Sequence, residues 1–444
     1  MKDDLAGENE LKNVLVIGSG LAAYGTCLAL LEKEGLAIEV IDVGLKAEYQ
    51  GQPNSYVPNS KDIKGSFYAY GINDKRWSVD LSSQRLCSSH AFGGFSKVYS
   101  GSILRPNIEE FKDWPIGSYP KAKDFQRILS TLSIRQIKDE LEIAFPINAE
   151  EKRVARKSEC LIGKSRIAFT EKKSPINKSF KVPFDVSEVF SYWIQEKKIT
   201  YKDHCYVTRL EETKKGVRVH FETSRGNSSK EYDRVYLGAG CINTTGIVDR
   251  SIFGNGERKY YIKSAPILLQ LYIQLLPELG LRDEEEKSIE DYKLCEYFLE
   301  SKSISTSYLW CHSQIGSLNR IILEKAKEKL PKIFTKIINF MQQFFKFSIT
   351  VFHSNLGPEI ELISYTNNVE GNECSQRLSI YEKRNKYNAK HSASIKLAVL
   401  KKFTKLRMIP IPFSHLIGNY FNPNRLGGWH HGGTLPMSRK PKKE

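Results

Sequence analysis

The segment GGWHHGGTLPMS at 427–438 sets His430 and His431 side by side between glycines. Histidine is the usual general base near neutral pH. The flanking glycines let the backbone be shaped closely around a ligand. Adjacent histidines point in different directions in most backbones, so one metal ion shared by the pair is not expected. A structural histidine pair is the other reading of these residues. The eight cysteines form no Cys-x-x-Cys pair and no other metal-ligand spacing. No metal site is expected, and free thiols in a reducing compartment account for them.

A second stretch with chemical content is VLVIGSGLAA at 14–23, followed by an acid at Asp42. Gly18 permits a sharp turn. Gly20 leaves the backbone bare, so a pyrophosphate can sit on the outward-pointing N–H groups at the start of a helix. Ala23 stands where the pattern needs only a small residue between helix and strand. Asp42 falls where a carboxylate accepts hydrogen bonds from a ribose diol and repels a 2′-phosphate. An ordinary α/β turn without a ligand is the competing reading. NAD and FAD are not separated by these residues. Two further segments carry weaker signals: Gly93 and Gly94 bring bare backbone toward a planar ligand or form a simple surface turn, and LGAG at 237–240 follows another apolar strand.

The elements that must position these residues follow from periodicity. Residues 14–17 read as a buried parallel strand, 24–33 as a helix and 38–41 as a second strand. Together they form the first βαβ unit of a dinucleotide-binding fold. Residues 44–85 read as a long polar connection and 152–179 as a basic loop. Residues 205–210 and 216–222 alternate as strands, with a polar turn over 224–230. Residues 234–243 read as strand, small-residue turn and helix. Cys27 and Cys241 fall in segments read as core. Strands are expected at 347–352 and 359–365, and helices at 121–134, 315–347 and 394–403.

At 444 residues the chain exceeds one core, and 40% hydrophobic content is enough to bury a large one. The formal charge of +16 favours anionic partners. No nucleic-acid module is present, and a basic solvated surface is the plainer account. The lysine-rich helix expected at 315–347 could lie on an anionic membrane or pack on its own domain. The polar start is unlike a signal peptide, and no apolar run is long enough for a membrane span. These features lead to the expectation of a cytoplasmic protein, with peripheral contact at the inner membrane as the variant of that reading.

Four segments occur together and in order: GSGLAA at 18–23, GGFSKVYSGSILR at 93–105, VYLGAGCINTT at 235–245 and WHHGGTLPMS at 429–438. In this order they resemble the glucose–methanol–choline family of FAD-dependent oxidoreductases, and most closely its bacterial branch found with cell-surface polysaccharide genes. The step WPI at 114–116 is similar to that branch. The resemblance implies an α/β fold with a Rossmann-like FAD-binding domain and a discontinuous α+β substrate domain, an antiparallel sheet plus helices. It implies a flexible tail at 1–12, an FAD-binding domain over 13–115, 195–261 and 410–444, and a substrate domain over 116–194 and 262–409. Gly18, Gly20 and Ala23 would contact the FAD pyrophosphate, and Asp42 the adenosine ribose. Val207 would meet the adenine through its backbone. Gly93, Gly94 and Ser96 would line the flavin side, and Gly240 would close the crevice wall. His430 falls on the family's active-site histidine, with His431 as its neighbour. The implied reaction removes two hydrogens from an alcohol, of a sugar or glycan precursor in that branch. The histidine takes the hydroxyl proton and hydride goes to the flavin. The family pattern continues beyond the His-Gly-Gly-Thr region with an acid near the flavin and a second catalytic histidine or asparagine. That difference leads to a second expectation, a truncated relative that binds a nucleotide without turnover. An NAD-dependent dehydrogenase is the third. Oligomeric state is not legible from these residues.

Overall fold

The computed structural model describes residues 12–44, 77–80, 88–97, 102–103, 115, 124, 127, 160–164, 166–173, 179–264, 267–274, 294–301, 304–312, 336, 346–354, 359–370, 373–383, 408–410, 431–432 and 435. Its centre is a parallel sheet. Strand β1 is Lys12–Ile17, helix α1 is Leu21–Leu30 and β2 is Leu36–Ile41. Later in the chain come α2 (Val186–Gln195), β3 (Thr200–Lys202), β4 (Tyr206–Glu212), β5 (Val217–Thr223), β6 (Gly226–Tyr232), β7 (Arg234–Leu237), α3 (Gly240–Phe253) and β8 (Gly256–Ser264). The parallel order is β7-β1-β2-β3. The chain builds outward from β1 through β2 to β3, then returns to the other side of β1 as β7. The order therefore reverses between β1 and β7, and such a reversal opens a crevice at the strands' carboxyl ends.

Both faces of this sheet are covered, which explains the unbroken apolar run in β1. Val14 and Val16 pack with Tyr24 and Cys27 of α1 and with Phe190 and Trp193 of α2. Leu15 and Ile17 face the other way, onto Val207, Val219 and Phe221 of the antiparallel sheet β4-β5-β6. Period-two alternation sends neighbouring residues to opposite cores. Helix α2 is specified locally. Asp185 accepts a hydrogen bond from the Ser187 N–H at 2.9 Å, capping the first turn. Val186, Phe190 and Trp193 then recur on one buried face. Trp193 stacks on Tyr24 with ring centres 5.7 Å apart.

Glu39 lies on the sheet face toward β4-β5-β6 and is mostly buried. Lys202 and Lys230 reach it at 2.6 and 2.5 Å. Burial pushes its carboxyl up, but the hydrogen bonds and charges of the two lysines outweigh that and hold it below the ordinary value. The Lys230 contact ties β6 to β2, and the Lys202 contact adds a tie between β2 and its neighbour β3.

Two further sheets make up much of the rest, antiparallel throughout except that Trp77–Asp80 joins Glu373–Lys383 in parallel. One runs 431–432, β8, Glu359–Glu370, Glu373–Lys383, Trp77–Asp80; the other runs Met408–Pro410, Ile267–Gln274, Lys346–Ser354, Ile304–His312, Leu294–Ser301, Cys160–Lys164. The first is clamped to α3 by buried polar groups. Tyr365 donates to the Ile242 carbonyl at 3.1 Å. Tyr260 and Asn367 both donate to the Asp249 carboxylate, which is fully buried.

Several expectations need correction. The helix expected at 24–33 starts three residues earlier, because Gly20 is extended and α1 begins directly behind it. The turn expected over 224–230 is largely strand β6, whose polar side chains are exposed because it is the outer strand of its sheet. The polar connection at 44–85 contains the strand Trp77–Asp80, and the basic loop at 152–179 contains Cys160–Lys164 and Phe169–Lys173. Cys27 is buried, whereas Cys241 is half-buried. Helix α2 packs in the core beside β1 and α1. Strands Lys346–Ser354 and Glu359–Glu370 cover the two expected there, so the helix expected at 315–347 cannot include its last two residues. The rest of that helix, apart from residue 336, and the helix at 394–403 lie outside the described residues. So does the helix at 121–134 apart from residues 124 and 127, and so does the tail at 1–11.

Leu15 is fully buried between the parallel sheet and β4-β5-β6. Leu15→Ala is expected to cost about 3 kcal/mol, from lost burial plus the cavity left behind. Urea denaturation of the variant beside the parent chain measures it.

Candidate functional site

The turn after β1 is set by backbone packing. Gly18 has φ of +100°, and a Cβ there would lie 2.5 Å from the Gly238 carbonyl oxygen. No side chain is tolerated at that spacing. The Gly18 N–H donates to the Ile41 carbonyl at 2.8 Å, and the Gly238 N–H to the Ile17 carbonyl at 2.7 Å. The ends of β1, β2 and β7 are thereby drawn together. A third segment enters from the side. Residues 91–97 form a turn in which Gly94, at φ of +59°, comes so near Gly20 that a Cβ would meet the Gly20 Cα at 3.0 Å.

These turns enclose a cleft of about 270 Å³ at the carboxyl edge of the sheet. Its walls come from residues 17–22, 41–43, 88–91, 94–95, 205–207, 238–243, 247 and 250. Helix α1 points its N-terminus into it, and no side chain caps that end. Bare N–H groups at a helix start favour an anion.

Asp42 stands at the end of β2. The Ser19 hydroxyl donates to its Oδ2, and Ser19 Oγ accepts from the buried Gly93 N–H at 2.9 Å. One hydroxyl thus joins the first turn, the acid and the 91–97 turn. Burial pushes the Asp42 carboxyl up to about 6, against the hydrogen bonds from the Ser19 hydroxyl and from backbone N–H groups. Burial, followed by the Asp42 charge, also keeps the Tyr201 phenol protonated well above its ordinary range.

The 91–97 turn is anchored on α2. Lys97 Nζ lies 2.5 Å from Asp185 Oδ2 and donates to Ser187 Oγ at 2.6 Å. Ser96 Oγ donates to the Gly93 carbonyl at 2.7 Å and accepts from the Val186 N–H at 3.2 Å. On the opposite wall, Asn243 of α3 donates to Ser88 Oγ at 2.7 Å.

Of the residues singled out in the sequence, Gly18, Gly20, Asp42, Gly94, Val207 and Gly240 line this one cleft. Ala23 is buried behind it, where its N–H is 3.1 Å from the place a Gly238 Cβ would occupy. Gly93 and Ser96 shape the 91–97 turn rather than the wall itself. His430 lies outside the described residues. His431 is in the two-residue strand 431–432, which pairs with β8 opposite Ser264 and lies beside α3. Sequence reasoning missed Ser19, Ser88, Asn243 and Arg250. Among the described residues no group of His, Cys, Asp and Glu could hold a metal ion, and no helix is long and apolar enough to cross a membrane.

No family model and no curated protein matches the chain. Solved structures with partial likeness include pyridoxine 4-oxidase from Mesorbium loti, at 9% identity and a TM-score of 0.36, over 84% of this chain and 76% of that one. Formate oxidase from Aspergillus oryzae gives 10% identity and a TM-score of 0.46, over 83% and 77%. An FAD-dependent oxidoreductase from Chaetomium thermophilum gives 11% and 0.39, over 96% and 85%. At these scores the likeness carries no argument, and the functional reading rests on the cleft itself.

Asp42 supplies a pH prediction. Its folded value, about 6, is above the ordinary 3.8. The unliganded fold therefore loses stability as pH rises between these values, because the unfolded chain releases its proton first. A ribose diol donating to the carboxylate favours the ionised form. Affinity for an adenosine dinucleotide should rise from about pH 5 to about pH 7 and then level off. Titrations across that range should show the rise in the parent chain and a flat, weaker profile in Asp42→Asn.

Proposed function

We propose that the cleft binds FAD and that the protein is an FAD-dependent oxidoreductase acting on a CH–OH group. The observation that carries this is the meeting of three glycine turns around an uncapped helix N-terminus, with a carboxylate at the end of the neighbouring strand. The residues fit such a ligand. The bare backbone at Gly18 and Gly20 and the start of α1 would hold the pyrophosphate. Asp42 would hold the adenosine ribose, and the backbone at Val207 would hold the adenine. Gly94 would line the flavin side, on a turn held by Gly93 and Ser96, and Gly240 would close the opposite wall. Bound FAD would supply the hydride-accepting centre.

The chain's own task is then to position an alcohol and to take its proton. His430 and His431 are the proposed bases. The backbone of His431 runs along β8, directly after α3, whose first turn lines the cleft. Glycine on either side of the pair is the residue type that lets backbone come close to a substrate. A histidine here would hold the hydroxyl proton while the cleft walls keep water from the reacting carbon. The proposed substrate is a small alcohol, of which a sugar or glycan precursor is the version drawn from the family resemblance.

The test is anaerobic mixing of the flavin-loaded protein with a panel of alcohols and sugars. Bleaching of the flavin absorbance by one of them is expected. His430→Ala or His431→Ala should slow that bleaching by about 10²-fold or more while the flavin stays bound. Bleaching at the parent rate in both variants would remove the histidines from the reaction. Nicotinamide reduction without flavin would favour the dehydrogenase reading instead.

A further inference from the structure

Arg250 lies in the last part of α3 and is only 4% exposed, yet it lines the cleft. Its Nε donates to the Thr208 carbonyl of β4 at 2.6 Å. That bond uses one of five guanidinium N–H donors. Among the described residues no carboxylate pairs with it; its sequence neighbour Asp249 is taken up by Tyr260 and Asn367. A neutral donor could tie α3 to β4 equally well. A cation so deeply placed without a counter-charge is costly unless something else covers it.

The order of groups along the cleft says what that is. Gly20 and the α1 N-terminus line the cleft with Asp42, and Ser19, in the turn that leads into α1, donates to the Asp42 carboxylate, so the two are neighbours. The Cys205 N–H donates to the Asp42 carbonyl at 3.0 Å, so the start of β4 follows directly. Val207 and Ile247, both nearly fully buried, form an apolar floor there, and Thr208 carries Arg250. Anion site, diol acceptor and apolar floor with a planar cation repeat the order pyrophosphate, ribose, base.

We propose that Arg250 is the stacking residue for the adenine ring, its guanidinium lying against the base while Thr208 fixes its plane. The inference rests on the dinucleotide reading of the cleft. It concerns the adenosine half alone, so ADP is a sufficient probe.

The experiment measures ADP and FAD binding by the full chain and by Arg250→Met, Arg250→Lys and Arg250→Gln. Arg250→Met should weaken both ligands by about tenfold, by the same factor. Arg250→Lys keeps the charge but loses the plane, and should not restore affinity. Arg250→Gln keeps a donor for Thr208 and should retain the unliganded melting temperature while still binding ADP weakly. Parent-like ADP affinity in Arg250→Met or Arg250→Gln would overturn the proposal. Full recovery in Arg250→Lys would also overturn it, because an ammonium has no plane to stack on a ring and full recovery would mean that charge alone is read. If the parent chain binds ADP but not FAD, the flavin reading fails and the Arg250 inference is still decided by ADP. If it binds neither, both fall.

Discussion

Everything at the site depends on backbone approaching backbone. Gly18 sits against Gly238, Gly94 sits against Gly20, and in the first pair even a methyl group would collide with a carbonyl oxygen. These contacts let β1, β7 and the 91–97 turn converge on one point. Without them the strand ends would still form a sheet, but its carboxyl edge would hold no closed cleft. The hydrophobic residues of β1 explain why the sheet forms, and the glycines explain why its carboxyl edge opens where these turns meet.

A second layer of polar contacts holds that geometry. Ser19 couples Asp42 to the 91–97 turn, and Lys97 fastens the same turn to the capped end of α2. On the far side, the buried Asp249 carboxylate takes Tyr260 and Asn367 and so fixes the antiparallel sheet against α3. The strand carrying His431 is the edge neighbour of that sheet's β8. The proposed proton acceptor and the cleft are thus parts of one connected scaffold, joined through α3.

The legible parts were those with a local rule. The apolar run 14–17, the glycine turn and Asp42 announced the βαβ unit because each obeys a short-range constraint. Strand β7 with its small-residue turn was legible for the same reason. Helix α2 carries a local signal of its own: Asp185 with Glu188 three residues on, then Val186, Phe190 and Trp193 at helical spacing. Strand β6 reads as a turn because an exposed outer strand needs no apolar residues, and GNSSKEY has almost none. Ser19 and Asn243 had no signal at all; their partners are Gly93 and Ser88, far away in the chain. Arg250 is hidden for the opposite reason. A charged residue in a helix reads as solvent-facing, and only the tertiary arrangement of β4 over α3 buries it.

The central claim is that these glycine contacts build a flavin-dinucleotide cleft. The direct measurement is the absorbance spectrum of the purified chain, with FAD quantified in the supernatant after denaturation and after incubation with added FAD. The account predicts flavin bands and close to one FAD per chain. A colourless protein that takes up no added FAD would contradict it.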